Sequence, residues 1–302
     1  MDNKLAVKLG FIGYGEAAYC MSRGLCNEGL NNMKAFDVAL CTDNPYKETV
    51  EQRLKSVTGI IKCTSASEVL HDCNIVVIAV PAKFTESTAE ALLPYVQKGQ
   101  LFADVTTALP DVKNRLSKKF QEHGADYVDS AMLGALAVSG HKVPILASGN
   151  GAQRWCDAMT PWGMRIKVFG AEVGDASRMK LVRSVFMKGL EALIVESLAF
   201  AHKCHLEEQF IQSVSKDMNE EKFEDLIYEF ASSDLLHSER RGFELGKAME
   251  LMKAEDMVPL VAAGAKARME KTTQYGFKEQ LQGKCPDTLS EVYQLFDSKN
   301  YL

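Results

Sequence analysis

The side chains in this sequence that could do chemistry gather in a polar stripe, a glycine turn and a few strand ends. Lys180, Ser184, Lys188 and Glu191 recur at i, i+4, i+8 and i+11 in an otherwise apolar stretch, a spacing that puts them on one face of a helix. Most charge stripes are solvated faces; this one is narrow, and its helix begins where the character of the chain changes. A lysine held in a cleft there can act as a general acid or base. Desolvation and nearby cations, Arg178 and Arg183 among them, would favour its neutral form.

The glycine turn lies in Val7-Lys8-Leu9-Gly10-Phe11-Ile12-Gly13-Tyr14-Gly15-Glu16-Ala17-Ala18, a strand pattern followed by Gly-x-Gly-x-x-Ala and a helix. Gly13 permits the tight turn, Gly15 lets the backbone approach a pyrophosphate, and Ala18 allows close helix–strand packing. The N–H groups from Tyr14 to Ala17 would face the phosphates. A carboxylate at the end of the second strand should read the adenosine ribose about 20 residues on. Asp37 is near that interval but opens the second strand pattern, 36–41. Asp43 follows Val38-Ala39-Leu40-Cys41-Thr42 and closes it, so Asp43 is expected to accept the ribose hydroxyls and favour NAD over NADP; a helix cap before Pro45 is the competing account. Val80 and Pro81 follow the fourth strand and Thr106 the fifth, where ligands of parallel sheets bind. Thr106 or Thr107 could equally cap the helix that begins near Pro110.

Elements able to position these groups alternate through the first half. Strand patterns fall at 7–12, 36–41, 59–63, 74–80, 101–105, 125–129, 143–147 and 165–169, with helical patterns between most of them. The alternation predicts an α/β, doubly wound, mostly parallel sheet with helices on both faces. Continuous apolar runs such as Ile75-Val76-Val77-Ile78-Ala79-Val80 suit buried parallel strands. After Gly170 the pattern is helical throughout, so the chain is divided into domains 1–172 and 173–302, the second all-α. A long helix over 176–201 is apolar on most of its circumference, which predicts burial between other elements. No internal repeat or low-complexity segment interrupts either half.

Composition narrows the function classes. The chain has 302 residues, 46% hydrophobic and 25% charged, with net charge −5, which is the composition of a globular protein. The acidic balance gives no electrostatic reason to expect nucleic acid, and no apolar run approaches the ~18 residues of a membrane span. Met1-Asp2-Asn3-Lys4-Leu5 runs into the first strand pattern, so no secretory signal is expected. Eight scattered cysteines without a Cys-x-x-Cys pair read as reduced thiols in the cytoplasm.

Gly13–Ala18, Asp104-Val105-Thr106-Thr107-Ala108-Leu109-Pro110 and Gly174-Asp175-Ala176-Ser177-Arg178-Met179-Lys180 stand in an order that resembles the β-hydroxyacid dehydrogenase family, which includes 3-hydroxyisobutyrate dehydrogenase and 6-phosphogluconate dehydrogenase. The resemblance runs from residue 7 to about 200. It implies a Rossmann NAD(P)-binding domain, a helical second domain, a homodimer, and hydride transfer between nicotinamide and a small β-hydroxy acid or its semialdehyde. Lys180 would be the interdomain acid or base. 6-Phosphogluconate itself is not expected, because those enzymes carry a longer helical C-terminal region.

The chain departs from the family in its substrate motif. Where Asp-x-Pro-Val-Ser-Gly-Gly is usual, it reads Asp129-Ser130-Ala131-Met132-Leu133-Gly134-Ala135, so Leu133 replaces a hydroxyl that helps hold the substrate carboxylate. Backbone N–H groups at Gly134 and Ala135 could still contribute. Ser184 stands where the family has asparagine. Arg183 could pair bidentately with a carboxylate, and so could Arg240, although an ion pair with Glu239 or Glu244 is the ordinary account of Arg240-Arg241. A lost carboxylate anchor also suits hydride transfer to an imine, and a sensor that binds dinucleotide without turnover is the remaining alternative. His202-Lys203-Cys204-His205 is an incomplete metal set and suits a helix end; no metal is expected. His141 and Lys142 read as a turn.

Overall fold

The computed structural model describes residues 7–299; the opening Met1–Leu5 segment lies outside the described residues. By internal contacts the chain forms two compact units, Met1–Ser184 and Val185–Leu302. The division falls within a long helix.

In the first unit, β1 (Leu9–Ile12), α1 (Glu16–Asn27), β2 (Met33–Phe36), α2 (Lys47–Lys55), β3 (Ile60–Lys62), α3 (Ala66–Asp72) and β4 (Ile75–Ile78) are followed by α4 (Thr85–Leu92), β5 (Leu101–Asp104), α5 (Pro110–Glu122) and β6 (Asp126–Met132). Next come α6 (Leu136–Ser139), β7 (Pro144–Ser148), α7 (Ala152–Met159), β8 (Arg165–Gly170) and the start of α8 (Asp175–Lys203). The eight strands form one sheet in the order β3-β2-β1-β4-β5-β6-β7-β8. Every pairing is parallel except β6 with β7. This is the predicted Rossmann architecture.

Neighbouring residues in a strand face opposite layers. Phe11 and Val77 join Met21, Leu25 and Trp155 in one core; Ile12, Val76 and Ile78 join Phe102 and Phe120 in the other. Both layers are buried, as a sheet covered on two faces requires. β5 pairs with Asp126–Asp129 of β6, whereas β7 pairs with Asp129–Met132. β6 therefore overhangs its parallel neighbour, and the reversed strand is built on the overhang.

The second strand corrects the sequence reading. β2 ends at Phe36, and Val38–Leu40 form a 3-10 turn. Asp37 Oδ1 accepts the Ala39 N–H at 2.8 Å, which folds the chain back and ends the ladder. Val38 is 62% exposed, so its β-branched side chain is not in a strand core.

The second unit contains the rest of α8, then α9 (Glu207–Glu220), α10 (Phe223–Ala254), α11 (Leu260–Gln274), α12 (Phe277–Leu281) and α13 (Leu289–Ser298). Leu235, Phe277 and Val292 form its buried cluster. Glu196 on α8 accepts the Leu260, Val261 and Ala262 N–H groups at 2.8 Å each, satisfying the donors at the start of α11. Phe186 meets Phe223 edge-on. The expectation that α8 is buried all round is not met: Val182, Val185, Phe186, Leu193, Ile194 and Val195 are exposed. Apolar side chains on α9 and α10, Ile211, Val214, Ile227 and Phe230 among them, are exposed as well.

Candidate active site

The glycine turn forms as its residue types dictate. Gly13 has φ +85°, and a Cβ there would lie 2.6 Å from the Ala79 carbonyl oxygen and 2.7 Å from Val80 Cγ1. Only glycine permits both that backbone and that approach, and the contact brings Val80 at the end of β4 against the turn. Gly15 is the N-cap of α1 and supplies no side-chain cap. A Cβ on Gly15 would meet nothing within 4 Å. The uncapped helix start and the open space above it fit a pyrophosphate.

Tyr14 enters this site by its backbone alone. Its side chain is fully buried, edge-on to Phe11, with its hydroxyl 2.6 Å from Ser22 Oγ; burial pushes the phenol up to about 12. The Tyr14 N–H donates to Asp37 Oδ2 at 2.6 Å. Asp37, which closes β2, is thus joined to the glycine turn, while Asp43 is exposed in the loop before α2. β2 ends at Phe36, so Asp37 rather than Asp43 stands at the C-terminal end of the second strand. Glu16 and Pro81 are exposed, Ala17 and Val80 half-buried.

At the ends of β5 and β6, Thr106 is buried and accepts the Thr85 hydroxyl at 2.9 Å, while its N–H donates to Asp104 Oδ1 at 2.8 Å. The helix-cap alternative does not hold: α5 has Leu109 as N-cap and Pro110 in its first turn. Thr107 is exposed, and its Oγ1 accepts a hydrogen bond from Lys180 Nζ at 3.0 Å. Lys180 is half-buried. Burial, followed by the neighbouring Lys113 ammonium, lowers its pKa from the ordinary lysine value, while Asp129 and Asp104 pull the other way. The amine is therefore easier to deprotonate than a surface lysine.

The groups behind Lys180 were not read from the sequence. Lys113, Asp104 and Asp129 are fully buried. Asp129 Oδ2 accepts the Ser177 N–H and Oδ1 the Ser177 hydroxyl, each at 2.7 Å, while Tyr127 donates to Asp104 Oδ2 at 2.6 Å. That carboxylate and burial hold the Tyr127 phenol well above its ordinary value, burial being the larger cause. One signal was available: Lys113, Leu116, Ser117 and Phe120 form the buried stripe of α5, so a lysine occupies a core position.

The remaining site residues are more dispersed. Gly134 and Ala135 are exposed at the head of α6, and Leu133 is half-buried with its N–H on the Pro144 carbonyl at 2.8 Å. Arg183 is exposed and Ser184 half-buried on α8. Arg240, in the second unit, pairs with Glu244 at 2.7 Å along its own helix. His202 pairs with Glu207; among the described residues no three His, Cys, Asp or Glu side chains are grouped to hold a metal. No helix of the described residues is long and apolar enough to cross a membrane.

Residues 8–158, half of the chain, match the family of the NAD-binding domain of 6-phosphogluconate dehydrogenase. Mouse mitochondrial 3-hydroxyisobutyrate dehydrogenase is 26% identical over 135 residues, which cover 43% of this chain and 37% of that enzyme. The match thus spans well under half of the relative's length. A conserved protein of unknown function, described as structurally similar to 3-hydroxyacid dehydrogenases, is 26% identical with TM-score 0.59, over 92% of this chain and all of that one (100%). A reductive aminase from Aspergillus terreus, solved with NADPH, cyclohexanone and allyl amine, shares the fold at TM-score 0.73 and 15% identity, covering 97% and 99% of the two chains.

Proposed function

The chain belongs to the β-hydroxyacid dehydrogenase family through its 6-phosphogluconate dehydrogenase-type NAD-binding domain, and from that premise we propose that it transfers hydride between NAD(P) and a small β-hydroxy acid or its semialdehyde. The observation that carries this reading is Lys180, half-buried, bonded to Thr107 and eased towards its neutral form. The nicotinamide coenzyme supplies or accepts the hydride. In reduction the Lys180 ammonium gives a proton to the carbonyl oxygen as hydride reaches the carbon; in oxidation the neutral amine takes the hydroxyl proton. Thr107 holds Nζ in place. Asp37, fixed by the Tyr14 and Ala39 N–H groups, leaves lone pairs for ribose hydroxyls and repels a 2′-phosphate, which favours NAD.

Leu133 in place of the usual serine favours a second reading, reduction of an imine. The carbon–nitrogen double bond would receive the hydride, and Lys180 the task of protonating nitrogen. A protein with eight free cysteines suits the cytoplasm. The test is oxidation of NADH and of NADPH with semialdehyde acids and with cyclic imines, by the wild type and by Lys180→Ala. A loss of more than ~10²-fold with coenzyme affinity retained supports the assignment, and an unchanged rate overturns Lys180 as acid or base. Coenzyme binding without turnover of either class would make the protein a sensor.

A further inference from the structure

The amine of Lys180 is one member of a four-charge arrangement whose other three lie behind it. Lys113 Nζ donates to Asp129 Oδ1 at 2.7 Å, to the Thr106 carbonyl at 2.9 Å and to the Asp104 carbonyl at 3.1 Å. Three acceptors thus answer three N–H donors. Asp104 Oδ2 lies 3.6 Å from the same ammonium. Asp129, held by Lys113, in turn holds the first turn of α8 through both polar groups of Ser177. Lys180 follows Ser177 by one helical turn, so its backbone is fixed by the same carboxylate.

A lysine buried only to tie strands together would be a costly tie, because hydrophobic residues of similar volume commonly do as well. Its charge has a second effect. The charged groups acting on Lys180 from packed elements are Lys113 of α5, Asp104 of β5 and Asp129 of β6. On its own helix Arg178 is engaged with Asp175, and Arg183 is exposed. Lys113 is thus the buried cation set against the carboxylates.

We propose that Lys113 is a positioning residue for Lys180, tying the ends of β5 and β6 to the first turn of α8 and holding behind the reacting amine a fixed positive charge that repels its proton. The proposal rests on Lys180 as acid or base, but its test does not use turnover. The titration of the Lys180 amine is followed in the full-length protein by trace labelling with acetic anhydride across pH, with the peptide carrying Lys180 read by mass spectrometry against exposed lysines. Lys113→Met should move the midpoint up by about one pH unit, leaving roughly tenfold less neutral amine below it. Asp129→Asn should move it down, because an attractive charge is lost.

Opposite shifts separate the electrostatic role from a structural one, since a loosened first turn would release the amine towards ordinary lysine behaviour in both variants. Two upward shifts, or no shift in Lys113→Met, overturn the proposal. If Lys113→Met does not fold, Lys113→Gln, which also removes the charge but keeps a hydrogen-bonding side chain, takes its place: an upward shift opposite to that of Asp129→Asn supports the proposal, and an absent or downward one overturns it. The expected opposite shifts together with an active Lys180→Ala protein would instead sink the catalytic assignment, and with it the positioning role, while the repulsion between the two amines would stand.

Discussion

At the scale of the residue, the property that suits Lys180 to proton transfer also weighs against folding. Its native pKa is lowered, mainly by burial, whereas the unfolded chain keeps a lysine near ~10.4. Between those two values the unfolded state binds the extra proton, so stability rises with pH across that window; below it the penalty is fully present. Lys180→Met should therefore raise the melting temperature at neutral pH, and the gain should shrink as pH approaches ~10. A constant gain across pH would show that packing, not charge, is responsible. Lys180 was legible because it interrupts an apolar helix, whereas Lys113 was not, because lysines are ordinarily read as solvated. Only its place among Leu116, Ser117 and Phe120 on the buried stripe of α5 marks it.

At the scale of the element, α1 is fixed at both ends of its length. Its N-terminus opens at Gly15, and further along it Gly24 receives His141, which is buried and 3.4 Å from Glu28. A Cβ on Gly24 would lie 1.9 Å from His141 Nδ1. Gly24→Ala should destabilise the first unit by about 1–3 kcal/mol, read by denaturant unfolding; a loss below a few tenths would mean that the 140–142 turn swings away freely. Strands β4, β5 and β7 stand within a residue or two of the expected spans, because buried parallel strands are continuous apolar runs. β2 does not, because residues 38–42 have strand-like composition and the competing hydrogen bonds of Asp37 are invisible to propensity. That difference is why the sequence pattern puts Asp43 at the strand's end, where the structure has Asp37.

At the scale of the whole molecule, the second unit exposes apolar side chains on α8 that its small buried cluster does not cover. Val185 is 79% and Val195 63% exposed. We expect a homodimer that covers this face, since a stable interface buries upwards of ~1,000 Å² with an apolar centre. Sedimentation should give twice the chain mass, and Val185→Glu with Ile194→Glu, both exposed, should give a folded monomer; a wild-type monomer at micromolar concentration rejects the expectation. The sequence made α8 readable as a rod but not what surrounds it, because periodicity reports which faces are apolar and not which molecule meets them. The overhang of β6 has a consequence of another kind. Past Asp129 the chain leaves its parallel neighbour β5, adds β7 and β8 to the sheet, and returns at Ser177 to the carboxylate it left, so the intervening excursion is a closed bight, moored at its neck. Most of that bight is core, Trp155 and Met159 included, but the exposed positions Gly134, Ala135, Ala137 and Val138 on its rim can be re-lettered without slackening the mooring.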